Sequence, residues 1–166
     1  RTFAVAWLSY ALFYLGRVNI AVALPALRAD LGWSATSAGL LGTAFYWAYA
    51  VGQLVHGALG DRVSPRAVVA GGLAASAVLN ALFGASSAYA ALLVLWGLNG
   101  SAQSAGWGPI VRTLSGVYGP EQRGRVTAAF APCSTAGHAA SWALAGWLVV
   151  SAGWRAAFWV PAVLLA

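Results

Sequence analysis

Of the 166 residues in this chain, 61% are apolar and 7% are charged, far from the roughly 25% charge content of a soluble domain. The net charge of +6 is carried by arginines that neither form a run nor gather on one soluble face, which sets aside a nucleic-acid-binding role. The single cysteine, Cys133, excludes a disulfide within these residues, and its apolar surroundings point to packing rather than metal ligation.

The first apolar stretch, residues 3–27, is long enough to cross a bilayer, and Arg17 lies near its middle, too deep for easy snorkelling. An arginine at the centre of a membrane helix costs about 2.5 to 3.5 kcal/mol on insertion scales, so this one must face a polar cavity or a partner. Tyr10, Tyr14 and Arg17 are spaced i, i+4, i+7, which places them on one helix face. The second span, residues 36–59, carries Tyr46, Tyr49, Gln53 and His56 as another stripe, and Gly60-Asp61-Arg62 closes it. The third, residues 67–88, is joined by a tight turn to the fourth, residues 89–111, where Asn99, Gln103 and Trp107 recur at i+4 steps. A polar stretch from Gly119 to Arg125 leads to the fifth span, residues 126–150, with Thr127, Ser134, His138 and Ser141 on one stripe. An incomplete sixth span occupies residues 156–166.

The pattern predicts an all-α polytopic membrane protein, with residues 1–166 forming one transmembrane unit in a lipid bilayer. With no methionine and an end inside an apolar segment, the chain is expected to be a piece of a longer protein whose C-terminal part is absent. A cytoplasmic N-terminus puts Arg1, Arg62, Arg66, Arg112, Arg123 and Arg125 inside and leaves only Arg28 and Arg155 outside, as the positive-inside rule requires. Trp33 and Trp154 then fall in the outer interfacial belt. The dense glycine and alanine along the spans predict close helix packing.

Polar stripes on four helices are expected where they converge on a water-accessible pathway, although any single Ser, Thr, Asn or Gln can equally be glue between helices. Arg17 is different, because Asp30, Asp61 and Glu121 all fall in loops or at helix ends and no acid lies inside a span to neutralise it. A small anionic substrate is its natural partner, and a carboxylate elsewhere in the full protein is the competing one. His138, near the centre of the fifth span, reads either as a proton carrier or as a neutral histidine bonded to a neighbouring helix, and His56 reads as interfacial. Neither histidine has a second ligand at metal-binding spacing, and no nucleophile, acid and base come together, so no metal, cofactor or enzymatic activity is expected.

The segment from Gly57 through Gly60, Asp61 and Arg62 to Pro65 and Arg66 resembles the signature loop of the major facilitator superfamily. Its glycines are read as points of close helix approach, and Asp61, Arg62 and Arg66 as a gating ion-pair cluster. Five elements, part of that loop among them, narrow the resemblance: Tyr14-Leu-Gly-Arg17-Val-Asn19 leading to Leu24-Pro25, Tyr49-Ala-Val-Gly52-Gln53, Asp61 through Arg66, Gln103-Ser-Ala-Gly106-Trp107-Gly-Pro109, and Gln122-Arg123-Gly124. Together they are similar to the organophosphate:phosphate antiporters, the group of the glycerol-3-phosphate and hexose-phosphate transporters. That resemblance implies two six-helix halves, of which this is the N-terminal one with its sixth helix truncated. It also implies substrate bound between the halves and alternating access by rocking in the cell (inner) membrane. It gives Arg17 the role of binding substrate phosphate, opposite a second arginine from the other half, with Tyr10, Tyr14 and Tyr49 lining the pathway. Gln53, Trp107, Ser134 and His138 complete the expected substrate-binding set.

Departures from the family pattern weaken the phosphate assignment. Val18 and Gln53 stand where the glycerol-3-phosphate transporters have lysines, and their fifth-helix histidine aligns with Ser134 rather than His138. A proton-coupled symporter of organic carboxylates such as sugar acids is therefore an alternative, and so is a transporter-like membrane sensor of sugar phosphates.

Overall fold

A computed structural model describes residues 1–60 and 62–166; Asp61, assigned above to the gating cluster, lies outside the described residues. Among the described residues there is no strand, and nine helical segments line up as six rods. The first rod is α1 (Thr2–Leu15) followed by α2 (Asn19–Leu31), with α3 (Ala35–Leu59) and α4 (Pro65–Ala85) as the second and third. The fourth is α5 (Tyr89–Ser104) with α6 (Trp107–Val117), the fifth α7 (Pro120–Phe130) with α8 (Pro132–Ala152), and the sixth α9 (Ala156–Leu165).

Local chemistry accounts for most boundaries. Ser34 and Ser64 cap α3 and α4 by accepting from the backbone N–H groups of Ser37 (3.0 Å) and Ala67 (3.3 Å), and Pro65 occupies the first turn of α4, where its missing N–H is no loss. Gly32 ends α2 in the left-handed region at φ 66°, a conformation that a side chain would disfavour. Several expectations from the sequence need adjusting: the fourth span breaks at Ala105-Gly106 and runs on to Val117, and the fifth breaks at Ala131. The first span is not one continuous helix but breaks at Gly16-Arg17-Val18, and the polar stretch after Gly119 is helical, because Pro120 and Glu121 make a good first turn for α7.

The rods pack through small residues. α3 lies along α5, α5 along α4, and α4 along α9, while α1 and α2 share α8. Gly100 of α5 sits so close to α3 that an added Cβ would collide with the Phe45 carbonyl, and a Cβ on Gly137 of α8 would come 2.8 Å from the Ala11 carbonyl oxygen of α1. One apolar cluster gathers Phe45, Phe83, Trp96 and Phe158 from α3, α4, α5 and α9. A second gathers Tyr10, Phe13, Tyr14, Leu114 and Phe130 around α1. Large apolar side chains also face outward, with Leu54 77%, Val163 78% and Val150 89% exposed, an exterior suited to hydrocarbon. Two rods, Thr2–Leu31 and Pro65–Ala85, are long and apolar enough to cross a bilayer on composition alone.

Candidate anion-binding site

The interruption of the first rod creates the site. In an unbroken helix the Gly16 carbonyl would accept from the N–H four residues on; here it accepts from the side-chain amides of Asn99 (2.8 Å) and Asn80 (3.2 Å) instead. Asn80 also donates to the Ser76 carbonyl at 2.9 Å and accepts from Asn19 at 3.0 Å, while Asn19 reaches the Ala157 carbonyl of α9 at 2.8 Å. These side chains are fully buried, and in an apolar bundle their amides satisfy backbone groups that water cannot. Gly16 itself is required by this arrangement, since a Cβ there would stand 2.9 Å from the Asn80 amide nitrogen and 2.7 Å from Leu165.

Arg17, the next residue, is half-buried. Its Nε donates to Gln103 Oε1 at 3.1 Å and its Nη2 to the Gln103 carbonyl at 3.2 Å. The rings of Tyr14 and Tyr49 lie 4.9 and 5.0 Å from the guanidinium carbon, within cation–π range. Among the described residues, both hydrogen-bond acceptors of Arg17 therefore belong to a neutral glutamine, and two tyrosine rings flank the guanidinium.

The other side chains singled out from the sequence divide into two groups. Tyr10 packs edge-on against Tyr14, with ring centroids 5.6 Å apart, and tilted against Trp107 at 5.3 Å, so α1 and α6 share one aromatic wall. Tyr14 in turn contacts His138 of α8 at 4.4 Å, and Gln53 donates to the Tyr49 hydroxyl at 2.8 Å. Arg17, Tyr10, Tyr14, Tyr49, Gln53, Trp107 and His138 thus form one connected set drawn from α1, α3, α6, α8 and the helix break. Ser134 stays apart, because its hydroxyl donates to the Ala131 carbonyl of its own chain segment at 3.0 Å. His138 Nδ1 donates to the Ser134 carbonyl at 3.0 Å, a bond within its own helix rather than to a neighbour. His56 is not merely interfacial: Ser104 Oγ gives its proton to the Ser101 carbonyl at 2.6 Å, so it accepts from His56 Nδ1 at 2.8 Å and ties α3 to α5.

At the signature loop the Gly60 carbonyl accepts from the Arg112 guanidinium, linking the end of α3 to α6. Arg62 and Arg66 are exposed. A side chain at Gly57 would meet open space, so close helix approach is not what that position provides. A cavity of about 590 Å³ lies elsewhere, between the first turns of α1 and α4 and the middle of α6, and none of the residues around Arg17 lines it. The residues that sequence reasoning left out are Ser76 and Asn80, whose i, i+4 spacing inside the apolar third span is the signal that could have found them.

Helical rods with an exterior suited to lipid and a buried polar wall around one cation define a polytopic membrane protein with a polar interior. More narrowly, the chain belongs to the Major Facilitator Superfamily, whose profile matches residues 6–166. It is 33% identical to a "Probable hexose phosphate transport protein" of Chlamydia pneumoniae over 99% of its own length and 36% of that protein's, the N-terminal part. It is 41% identical to the "Membrane sensor protein UhpC" of Escherichia coli, over 71% of this chain and 27% of the relative. With the "Glycerol-3-phosphate transporter" of Bacillus subtilis it shares 34% identity, again over 71% and 27%. The chain thus matches little more than a third of the length of the first of these curated relatives and about a quarter of the other two. They are transport and sensor proteins rather than enzymes, and the resemblance read from the signature loop and the Arg17 segment is of the same kind.

Proposed function

We propose that the chain is the N-terminal half of a secondary active transporter for an organic anion, exchanging an organophosphate for inorganic phosphate by alternating access. The observation that carries this reading is the Arg17 guanidinium, set in a polar break of a membrane rod and held, among the described residues, by the neutral acceptors of Gln103, between Tyr14 and Tyr49. A cation without an internal counter-ion in a low-dielectric bundle attracts an anion strongly, and the planar guanidinium suits the paired oxygens of phosphate or carboxylate.

In this reading Arg17 grips the anion from the N-terminal side, Tyr14 and Tyr49 orient it, and Tyr10, Gln53, Trp107 and His138 line the cavity that the other half closes. Ser134, turned to its own backbone, contributes at most to the shape of that wall. Gly57, Gly60, Asp61, Arg62 and Arg66 form a gate at the cytoplasmic end, supported by the bond from Arg112 to the Gly60 carbonyl. The protein sits in the cell membrane with its N-terminus in the cytoplasm, as the distribution of arginines between the loops favours.

Two observations keep other readings in view. Val18 and Gln53 leave this half without the extra cations of the glycerol-3-phosphate transporters, which favours a singly charged carboxylate. The 41% identity to a membrane sensor favours signalling in place of transport. Reconstitution of the full-length protein into proteoliposomes separates them. Uptake of labelled hexose phosphate driven by internal inorganic phosphate supports antiport. Uptake of a sugar acid driven by external acidification means proton symport, and binding without uptake means a sensor.

A further inference from the structure

We infer that Gln103 sets the charge of the Arg17 site: it positions the guanidinium with a neutral amide and so keeps a full positive charge available to an incoming anion. The inference rests on the anion-binding reading above and names the residue that makes it work. A guanidinium has five N–H donors in a fixed fork. Gln103 takes the side edge, with its amide oxygen on Nε and its backbone carbonyl on Nη2. The end edge, one N–H from each Nη, is left for a planar pair of ligand oxygens.

The amide cannot turn over. Its Nε2 donates to Ser76 Oγ at 2.7 Å, Ser76 Oγ donates to Asn99 Oδ1 at 2.7 Å, and Asn99 Nδ2 donates to the Gly16 carbonyl at 2.8 Å. Every donor in this circuit points the same way around, from Arg17 through α5 and α4 back to the residue next to Arg17. Gln103 and Ser76 are 0% exposed and Asn99 is 1% exposed, so water cannot replace a missing link. A reversed Gln103 amide would aim its NH₂ at the guanidinium and its oxygen at a hydroxyl already donating elsewhere. A carboxylate of the same shape would keep an oxygen on Arg17 and place its second oxygen against Ser76 Oγ, which would then turn its proton from Asn99 to that oxygen; it would also be a permanent internal counter-ion. The neutral amide is therefore a specificity-determining feature, and not only a structural one.

The two roles are separated by comparing Gln103→Glu with Gln103→Leu in the full-length protein, reading inorganic phosphate binding and thermal unfolding in parallel. A charge-setting role predicts that Gln103→Glu weakens phosphate binding at least about 30-fold, as filling a charge partner's place does. Gln103→Leu should weaken it between about 2- and 10-fold by loosening Arg17, and should melt at a lower temperature than Gln103→Glu. A purely structural role predicts the opposite binding order, with leucine worse than glutamate. The inference is overturned if Gln103→Glu binds phosphate within about threefold of wild type, or if leucine is the weaker binder. It is equally overturned if Gln103→Glu fails to fold, because the ion pair it creates should hold the bundle better than leucine does. Wild-type protein that binds neither phosphate nor gluconate would overturn the anion reading as a whole, a result distinct from any ordering of the variants.

Discussion

Replacing Asn99 with leucine tests whether the buried amide network holds the break in the first rod. The substitution keeps approximate side-chain volume but removes two short hydrogen bonds, to the Gly16 carbonyl at 2.8 Å and from Ser76 Oγ at 2.7 Å. Inter-helix hydrogen bonds in a membrane bundle average about 0.6 kcal/mol and reach about 1.7. The Ser76 hydroxyl, fully buried, would also lose its acceptor, adding about 1 to 3 kcal/mol for an unsatisfied group. The Gly16 carbonyl keeps its bond from Asn80 at 3.2 Å, which limits the loss. The expected destabilisation is about 2 to 4 kcal/mol, or a transition lower by roughly 5 to 15 °C for these 166 residues opening as one unit. Cys133, 1% exposed, provides the assay: in full-length protein with Cys133 as the sole cysteine, a maleimide reports the temperature at which the bundle opens. Ser134→Ala, which removes only a hydroxyl bonded within its own segment, is the control and should move the transition by no more than about 2 °C. An Asn99→Leu protein that melts as close to wild type as this control would refute the network's role.

Gly100→Leu should prevent α3 and α5 from reaching their packing distance, because even a Cβ collides with the Phe45 carbonyl; the expected outcome is loss of monodisperse protein on size-exclusion chromatography in detergent. Gln53→Lys adds a second cation beside Tyr49, whose hydroxyl Gln53 now reaches at 2.8 Å, and so should shift preference toward dianionic phosphate esters over carboxylates. Competition of hexose phosphate against gluconate for binding would measure that shift, and an unchanged ratio would place position 53 away from the ligand.

The membrane character, the six rods and the aromatic set around Arg17 were legible because their signals are local: long apolar runs, i+4 spacing of tyrosines, and a charge with no acid in any span. The break at Gly16 was not, since an isolated glycine inside an apolar helix is usually tolerated and the amides that stabilise the interruption come from the distant Asn80 and Asn99. Asn80 and Ser76 are hard to read for a related reason: two neutral polar residues one turn apart in a mostly apolar span form a short stripe, and their meaning comes from α1 and α5 across the bundle. Ser134 shows the converse, a residue placed on a polar face by periodicity whose hydroxyl turns back to its own backbone. Gly57 looked like a packing glycine from its loop motif, yet open space surrounds it, so the motif identifies the family more surely than it explains each residue in it.

The central claim is that Arg17 binds the transported anion, and phosphate counterflow in proteoliposomes containing full-length wild-type or Arg17→Gln protein tests it most directly. Arg17→Gln protein is expected to insert and fold but to exchange phosphate at least about 100-fold more slowly, the loss expected when a desolvated charge partner is removed. Exchange at a near-wild-type rate would contradict it.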